Sequence, residues 1–272
     1  MQFTDHLDLR QGFKKYFRID AALDESLKDD VFRIRHSVYC EDLHFEPENE
    51  ERRECDAYDR HSVHCLLRTS APLFQPVGCT RLVLADPQAL DAPLPFEITC
   101  AGALDRSVID PARLQRDRIA EISRLAVHRN YRRRKGENHQ EIGLSESDFA
   151  RDERPRFPFV PTSLLLGAVA LADCCGIETV FVLTEPRLAA HFAKLGVRIQ
   201  QIGTVVEHRG NRIPSVMHVQ EIIRDMRAIL HPLWHLVREE IGRDFSEARS
   251  QGIVRDATAE NRQPPTAFTS SE

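Results

Sequence analysis

One stretch limits the folds open to this chain more than any other. Residues 121–136 read Glu-Ile-Ser-Arg-Leu-Ala-Val-His-Arg-Asn-Tyr-Arg-Arg-Arg-Lys-Gly. The first half interleaves the apolar, mostly β-branched Ile122, Leu125 and Val127 with Glu121, Ser123 and Arg124, and so predicts a strand. The second half is a basic, polar loop. A strand that carries a carboxylate and an arginine and ends in a loop of donors suits binding of an anionic ligand and movement of a proton.

The elements before this strand are short. Alternation over residues 16–19 predicts a first strand. A helix follows from Asp24, capped by Asp24 or Ser26, with Leu27, Val31, Ile34 and Val38 at three- to four-residue spacing. Arg35 and Tyr39, four apart, share one face near its end. Residues 44–60 read as a charged loop. Residues 62–68 and 77–85 read as strands joined by a proline-bearing connection, and 86–118 as an irregular segment with one short helix.

Beyond the central strand, residues 137–160 are polar and long for a loop. Pro161 and Thr162 or Ser163 open an apolar helix that runs through Cys175 and stops at Gly176. A buried strand over 179–184 and a helix over 186–195, ending at Gly196, come next. Residues 198–207 and 213–219 read as a hairpin around Arg209-Gly210-Asn211. A helical pattern over 221–245 is interrupted at Pro232. This order predicts a mixed α/β (α+β) sandwich over residues 1–249, with the Gln-, Pro-, Thr- and Ser-rich 250–272 a disordered tail.

The 272 residues are ample for a buried core, and the net charge of -5 argues against non-specific nucleic-acid binding. On that acidic background Arg132 to Lys135 form a local basic patch, either a docking site for an acidic partner or a solvated loop. The seven cysteines are odd in number and form no CxxC pair, which favours reduced thiols serving as small core hydrophobes in a cytoplasmic protein. The polar N-terminus gives no signal peptide, and no apolar run approaches the ~20 residues of a membrane span. His61, His64 and Cys65 do not make a metal site: on a strand His64 and Cys65 point to opposite faces, and no second pair stands at metal spacing.

With these residues in this order, the chain resembles the GNAT acyltransferases. Within them it is similar to the autoinducer-synthase branch, the LuxI-like acyl-homoserine-lactone synthases and the N-acyl amino acid synthases. The matching positions are Arg35 and Tyr39 on the first helix, Phe45 after it, the acidic Asp56 and Asp59, Arg81 on a strand, and Glu121, Ser123 and Arg124 as Glu-x-Ser-Arg. Three phrases resemble the bacterial acyltransferases associated with the PEP-CTERM/exosortase system: Val-Phe-Arg-Ile-Arg-His-Ser-Val-Tyr-Cys over 31–40, Glu-Cys-Asp-Ala-Tyr-Asp-Arg-His-Ser-Val-His-Cys-Leu-Leu over 54–67, and Glu-Ile-Ser-Arg-Leu-Ala-Val over 121–127. Two departures stand out. Phe45 occupies the place where lactone synthases usually have Trp. The glycine-rich pyrophosphate loop is reduced to Gly136 among basic residues, which favours an acyl carrier protein over coenzyme A as donor.

The resemblance implies a GNAT fold with a mostly antiparallel sheet flanked by helices, and transfer of an acyl group from an acyl-carrier-protein or acyl-CoA thioester to a small amine. It implies a catalytic set of Glu121, Ser123 and Arg124, with Glu121 as general base, against the alternative of a structural Glu121–Arg124 ion pair. Asp56 and Asp59 would hold the acceptor amine, Arg35 its carboxylate, and Tyr39, Phe45 and Arg81 the surrounding pocket; the alternatives are a solvated turn for the aspartates, ion pairing with nearby acids for the arginines, and core packing for the aromatics. Backbone donors at Leu125 and Val127 would bind the thioester and pantetheine arm. Arg129, Arg132, Arg133 and Arg134 would meet a carrier protein. No permanent cofactor or metal is implied. The rivals are a lactone synthase using S-adenosylmethionine, and a catalytically silent module that binds an acyl ligand.

Overall fold

The computed structural model describes residues 8–132 and 159–253. The expected basic run from Arg133 onward and most of the expected tail lie outside them. The core is one eight-stranded sheet. Its first half is built from β1 (Phe17–Ala21), β2 (Ser62–Thr69), β3 (Pro76–Val83) and β4 (Ile119–Val127), paired antiparallel in that order. The second half, β5 (Thr179–Thr184), β6 (Gln200–Gln201), β7 (Val206–Glu207) and β8 (Asn211–His218), is also antiparallel, with β8 lying between β5 and β6 and β7 pairing with β8. The two halves meet at the parallel pair β4–β5.

The alternation of β2 dictates two cores. Cys65 and Leu67 face a layer formed by α5 (Phe159–Cys174) and α8 (His231–Ser250), while Leu66 faces α2 (Glu25–His36). Helix α5 is apolar on all sides because sheet and α8 enclose it. Gly167 brings it onto the sheet, since a Cβ there would meet Cys65 Sγ at 2.4 Å. Asp24 caps α2 by accepting the Leu27 N–H at 2.9 Å, as its position in the sequence requires. Val31, Ile34 and Val38 fill the second core with Leu66, Cys79 and Ala126.

Some boundaries differ from expectation. An amphipathic α1 (Asp8–Tyr16) precedes β1 where only mixed sequence was legible. Helix α2 runs on into a π-helical segment, Ser37–Asp42, so Tyr39 lies on a wider turn than Arg35. The 198–207 strand resolves into the two-residue β6 and β7. The C-terminal helical pattern breaks at Met226, between α7 (Val219–Asp225) and α8, and Pro232 opens α8 rather than interrupting it, because its missing N–H falls in the first turn. All seven cysteines are free; Cys40, Cys65, Cys79 and Cys100 are buried, whereas Cys55 is exposed. Among the described residues no helix is long and apolar enough to cross a membrane.

Candidate active site

Strand β4 carries the site. On one side it pairs with β3, Arg81 opposite Ser123 and Cys79 opposite Ala126, so Thr80 faces the two residues Arg124 and Leu125. This bulge sets Arg124 at φ 52, a conformation rare for a side-chain-bearing residue. On the other side, pairing with β5 runs from Ile119–Thr179 to Ile122–Val182 and goes no further. Beyond Ile122 the two strands part. An open cleft of about 900 Å³, mouth included, occupies the divergence.

Glu121, Ser123, Arg124 and Leu125 line one wall of this cleft with Tyr39 and Thr80. Most of the remaining lining is apolar, from Ile122, Leu165, Val182, Leu183, Leu188, Phe192, Ile199 and Met217, with Thr184 among them. His208 and Arg209 of the β7–β8 turn, and Arg212 at the start of β8, line the cleft as well.

Glu121 is buried and accepts the N–H of Phe96 at 2.7 Å, from the short helix α3 (Pro95–Thr99). Burial penalises its charged form and pushes its pKa up to about 7, against the opposing pull of the Phe96 N–H, Arg81 and Arg124. Among the described residues Glu121 makes no ion pair, with Arg124 or any other base.

Arg124 turns away, to a separate charged network. It donates to Glu54 at 3.0 Å and to Asp56 at 3.1 Å, with its guanidinium 5.6 Å from the Tyr39 ring. Arg35, fully buried, donates a forked pair to Asp59 at 2.7 and 3.0 Å and a further bond to Glu54. Arg81 donates to Asp56 at 2.7 Å, to Asp59 at 2.9 Å and to the Ser123 hydroxyl at 3.1 Å. The three arginines thus face three carboxylates, Glu54, Asp56 and Asp59. Burial alone would raise these carboxyl groups, but the arginines hold all three below their ordinary values. Asp56 and Asp59 also cap each other's turn: Asp56 accepts from the Tyr58 N–H, and Asp59 accepts from the Asp56 N–H.

The structure brings most of the expected residues together and sets several of them in ion pairs of their own. Arg35, expected at the acceptor's carboxylate or on a nearby acid, pairs with Asp59 in the interior. Asp56 remains the most open acid of the network. Tyr39 is buried, yet it lines the cleft and donates its hydroxyl to the Leu125 carbonyl at 3.2 Å. Phe45 packs against the α2 core. Val127 is buried in the main core. Arg129 is exposed, while Arg132, expected on a docking face, is buried against Asp42. Arg133 and Arg134 lie outside the described residues. Glu54 and Arg209 were not singled out from sequence. Glu54 had a signal, the charge two positions before Asp56; Arg209 read only as a turn residue.

Two comparisons with known proteins bear on this geometry. Residues 34–139, from the end of α2 past β4, match the model of the acetyltransferase (GNAT) domain. Among solved structures, TofI in a ternary complex with an inhibitor and MTA superposes with a TM-score of 0.53 at 18% identity, over 80% of this chain and 98% of that one. MesI, a CoA-dependent acyl-homoserine lactone synthase, superposes with a TM-score of 0.50 at 20% identity, over 88% of this chain and 97% of that one. FeeM, an N-acyl amino acid synthase from uncultured soil microbes, gives 0.49 at 14% identity, over 77% and 95%. No curated protein matches the sequence. The fold is thus GNAT-like, and the domain match laid on it supports an acyltransferase.

Proposed function

We propose that the protein is an N-acyltransferase that moves a fatty acyl group from an acyl-CoA or acyl-carrier-protein thioester to the amine of an amino acid or similar small acceptor. One observation carries this reading. A buried carboxylate with a pKa near neutrality, Glu121, stands on the wall of a cleft whose remaining lining is mostly apolar, at the point where β4 and β5 part. A general base works best when its pKa lies near the operating pH, and Glu121 meets that condition.

The acyl chain lies along Leu165, Leu188, Phe192 and Ile199, and the thioester carbonyl lies against the backbone of β4 beyond Ile122, where β5 pairing has ended. The acceptor amine gives a proton to the Glu121 carboxylate, directly or through a water, as its nitrogen attacks the thioester carbon. The C–N bond forms and the oxyanion collapses. The C–S bond then breaks, and the thiolate takes the proton from Glu121. Arg124 and Ser123 act through position: Arg124 fixes the bulge to Glu54 and Asp56, and Ser123 ties β4 to Arg81. Residues 1–249 form one catalytic unit in this reading. The exposed Arg129 is part of the face for an acidic carrier protein, and the resemblance of the 31–40, 54–67 and 121–127 phrases to exosortase-associated acyltransferases supports a product used in such a system.

Lactone synthesis is the second reading. The similarity of fold to MesI favours it, and Phe45 in the place of Trp counts against it. Mass spectrometry of lipid extracts from cells expressing the wild type or Glu121→Gln separates these readings. A new acyl-amine present only with the wild type is expected, and its mass identifies chain and acceptor. An acyl lactone would establish the second reading. No new product from folded wild type would leave an acyl-binding module.

A further inference from the structure

The charged network beside β4 is satisfied within itself. Arg35, Arg81 and Arg124 each meet carboxylates of the Glu54, Asp56 and Asp59 set, so none of the three is available to an incoming anion without breaking a buried pair. Of the remaining arginines at the cleft, Arg212 is buried, lies 3.1 Å from Glu185, and donates to the backbone carbonyls of His208 and Arg209. It therefore holds the turn from beneath.

That turn presents Arg209. Arg209 sits at φ 54, followed by Gly210 at φ 96. A side-chain-bearing residue in the left-handed region costs on the order of 1 kcal/mol or more and persists where its surroundings enforce it. Here they do. The His208 N–H reaches the Gly210 carbonyl at 2.9 Å, the Gly210 N–H reaches the Glu207 carboxylate at 3.1 Å, and Arg212 pins two carbonyls of the turn. Arg209 lines the cleft that Glu121 also lines. The carboxylate it meets among the described residues is Glu46, a quarter exposed on the loop after the π-helical segment and 3.8 Å from Arg124. Glu46 lies on a loop outside the Arg35–Arg81 cluster and is more exposed than Glu54 and Asp59, so an incoming carboxylate can take its place on Arg209.

We infer that Arg209 is the specificity-determining anchor for the acceptor's carboxylate. An amino acid enters with its carboxylate on Arg209 in place of Glu46 and its amine toward Glu121. The inference deepens the N-acyltransferase reading and rests on it for the identity of the amine. The cleft offers a base on one wall and a fork-shaped cation on a rigid turn, and an α-amino acid carries the two complementary groups.

Binding of two product-like probes tests the anchor without relying on turnover. N-dodecanoylglycine and its carboxamide differ only in the carboxylate. By titration calorimetry the wild type is expected to bind the acid at least tenfold more tightly than the amide. Arg209→Gln should bring that ratio near one by weakening the acid. Glu46→Gln, which removes the competing carboxylate, should tighten the acid and not the amide. Equal affinity of the wild type for both probes, or an unchanged ratio in Arg209→Gln, overturns the anchor. A carboxylate-dependent ratio in a protein that forms no acyl-amine in cells would keep the anchor and remove the transfer reaction.

Discussion

Glu121 and Arg124 stand three positions apart on one strand and do not meet. The carboxylate of Glu121 accepts the Phe96 N–H at 2.7 Å, while the guanidinium of Arg124 is drawn to Glu54 at 3.0 Å on the other side of the bulge. Alternation alone would set residues three apart on opposite faces of a strand; the bulge at Arg124 instead lets its guanidinium reach Glu54 and Asp56. Here Arg124 is neutralised by acids of its own, and burial dominates at Glu121.

The first prediction concerns pH. As a base, Glu121 acts only when deprotonated, and its pKa lies at about 7. The rate of acyl transfer is expected to rise with pH through that value and to level off above it. Glu121→Gln should lower kcat by roughly 10²- to 10⁴-fold and abolish the limb. Initial rates from pH 5 to 9, with free thiol as the readout, check this. A limb that survives in the variant would assign the titration to another group, such as the acceptor amine.

The same residue makes an opposite prediction for stability. Its folded pKa lies above its ordinary value of 4.5, so the folded state holds the proton more tightly than the unfolded chain. The benefit of burying neutral Glu121 is present below about 4.5 and is lost as pH rises through 7. At pH 8 the buried charge costs on the order of 3 kcal/mol. Glu121→Gln should therefore raise Tm at pH 8 and change it little at pH 4.5. Equal melting shifts at both pH values would mean that the carboxylate is not buried as described.

Much of this site was legible in the sequence because local rules act on single elements. The alternation around Glu121 gave β4, the spacing from Leu27 gave α2, and the clustering of Asp56 and Asp59 marked the acidic turn. The bulge was not legible, since Arg124 at φ 52 depends on how β3 pairs across from it rather than on its neighbours in sequence. Nor was the direction in which each charge points. A spacing can place Arg35 near an acid, but only the tertiary arrangement decides that its fork is filled by Asp59 and that Arg132 closes on Asp42. Arg209 escaped notice for the same reason: Arg-Gly-Asn signals a turn, not the cleft beneath it.

The buried network yields the third prediction. Arg35→Met leaves Glu54 and Asp59 without a cation that both now share, and removing one partner of a buried ion pair costs about 3–5 kcal/mol. Urea unfolding at pH 7 measures the loss. Glu54, Asp56 and Asp59 have depressed pKa values, so their stabilisation is present above the ordinary carboxylate range and is lost as pH falls below it. The wild type is expected to lose stability steeply below about pH 4, and Asp59→Asn to show a shallower acid limb from a lower plateau.

A fourth prediction separates the two donors. Arg129 is exposed beside Asp42, whereas Arg132 is buried against the same residue. If an acidic carrier protein docks on this face, Arg129→Glu should lower kcat/KM for acyl-carrier-protein several-fold, more at low salt than at high, through the association rate. The value for acyl-CoA should change less. Equal losses for both donors, or no loss for either, would remove Arg129 from carrier docking.

The apolar wall makes the last prediction, which concerns chain length. Leu188 on α6 (Pro186–Lys194) is half-buried and lines the cleft, so a larger side chain there can project into the acyl path without crowding the closed core as Leu165 would. Each methylene transferred from water to an apolar wall contributes about 0.8 kcal/mol, roughly fourfold in kcat/KM. Leu188→Trp should therefore shift the preferred acyl donor to shorter chains by a few methylenes. The loss should be steepest for the longest donors, while rates with the shortest donors stay near wild type. Competition assays with a ladder of acyl-CoA lengths read this directly. A uniform loss across the ladder would mean that the chain does not run past Leu188, and a profile that does not move would place the acyl path outside this cleft.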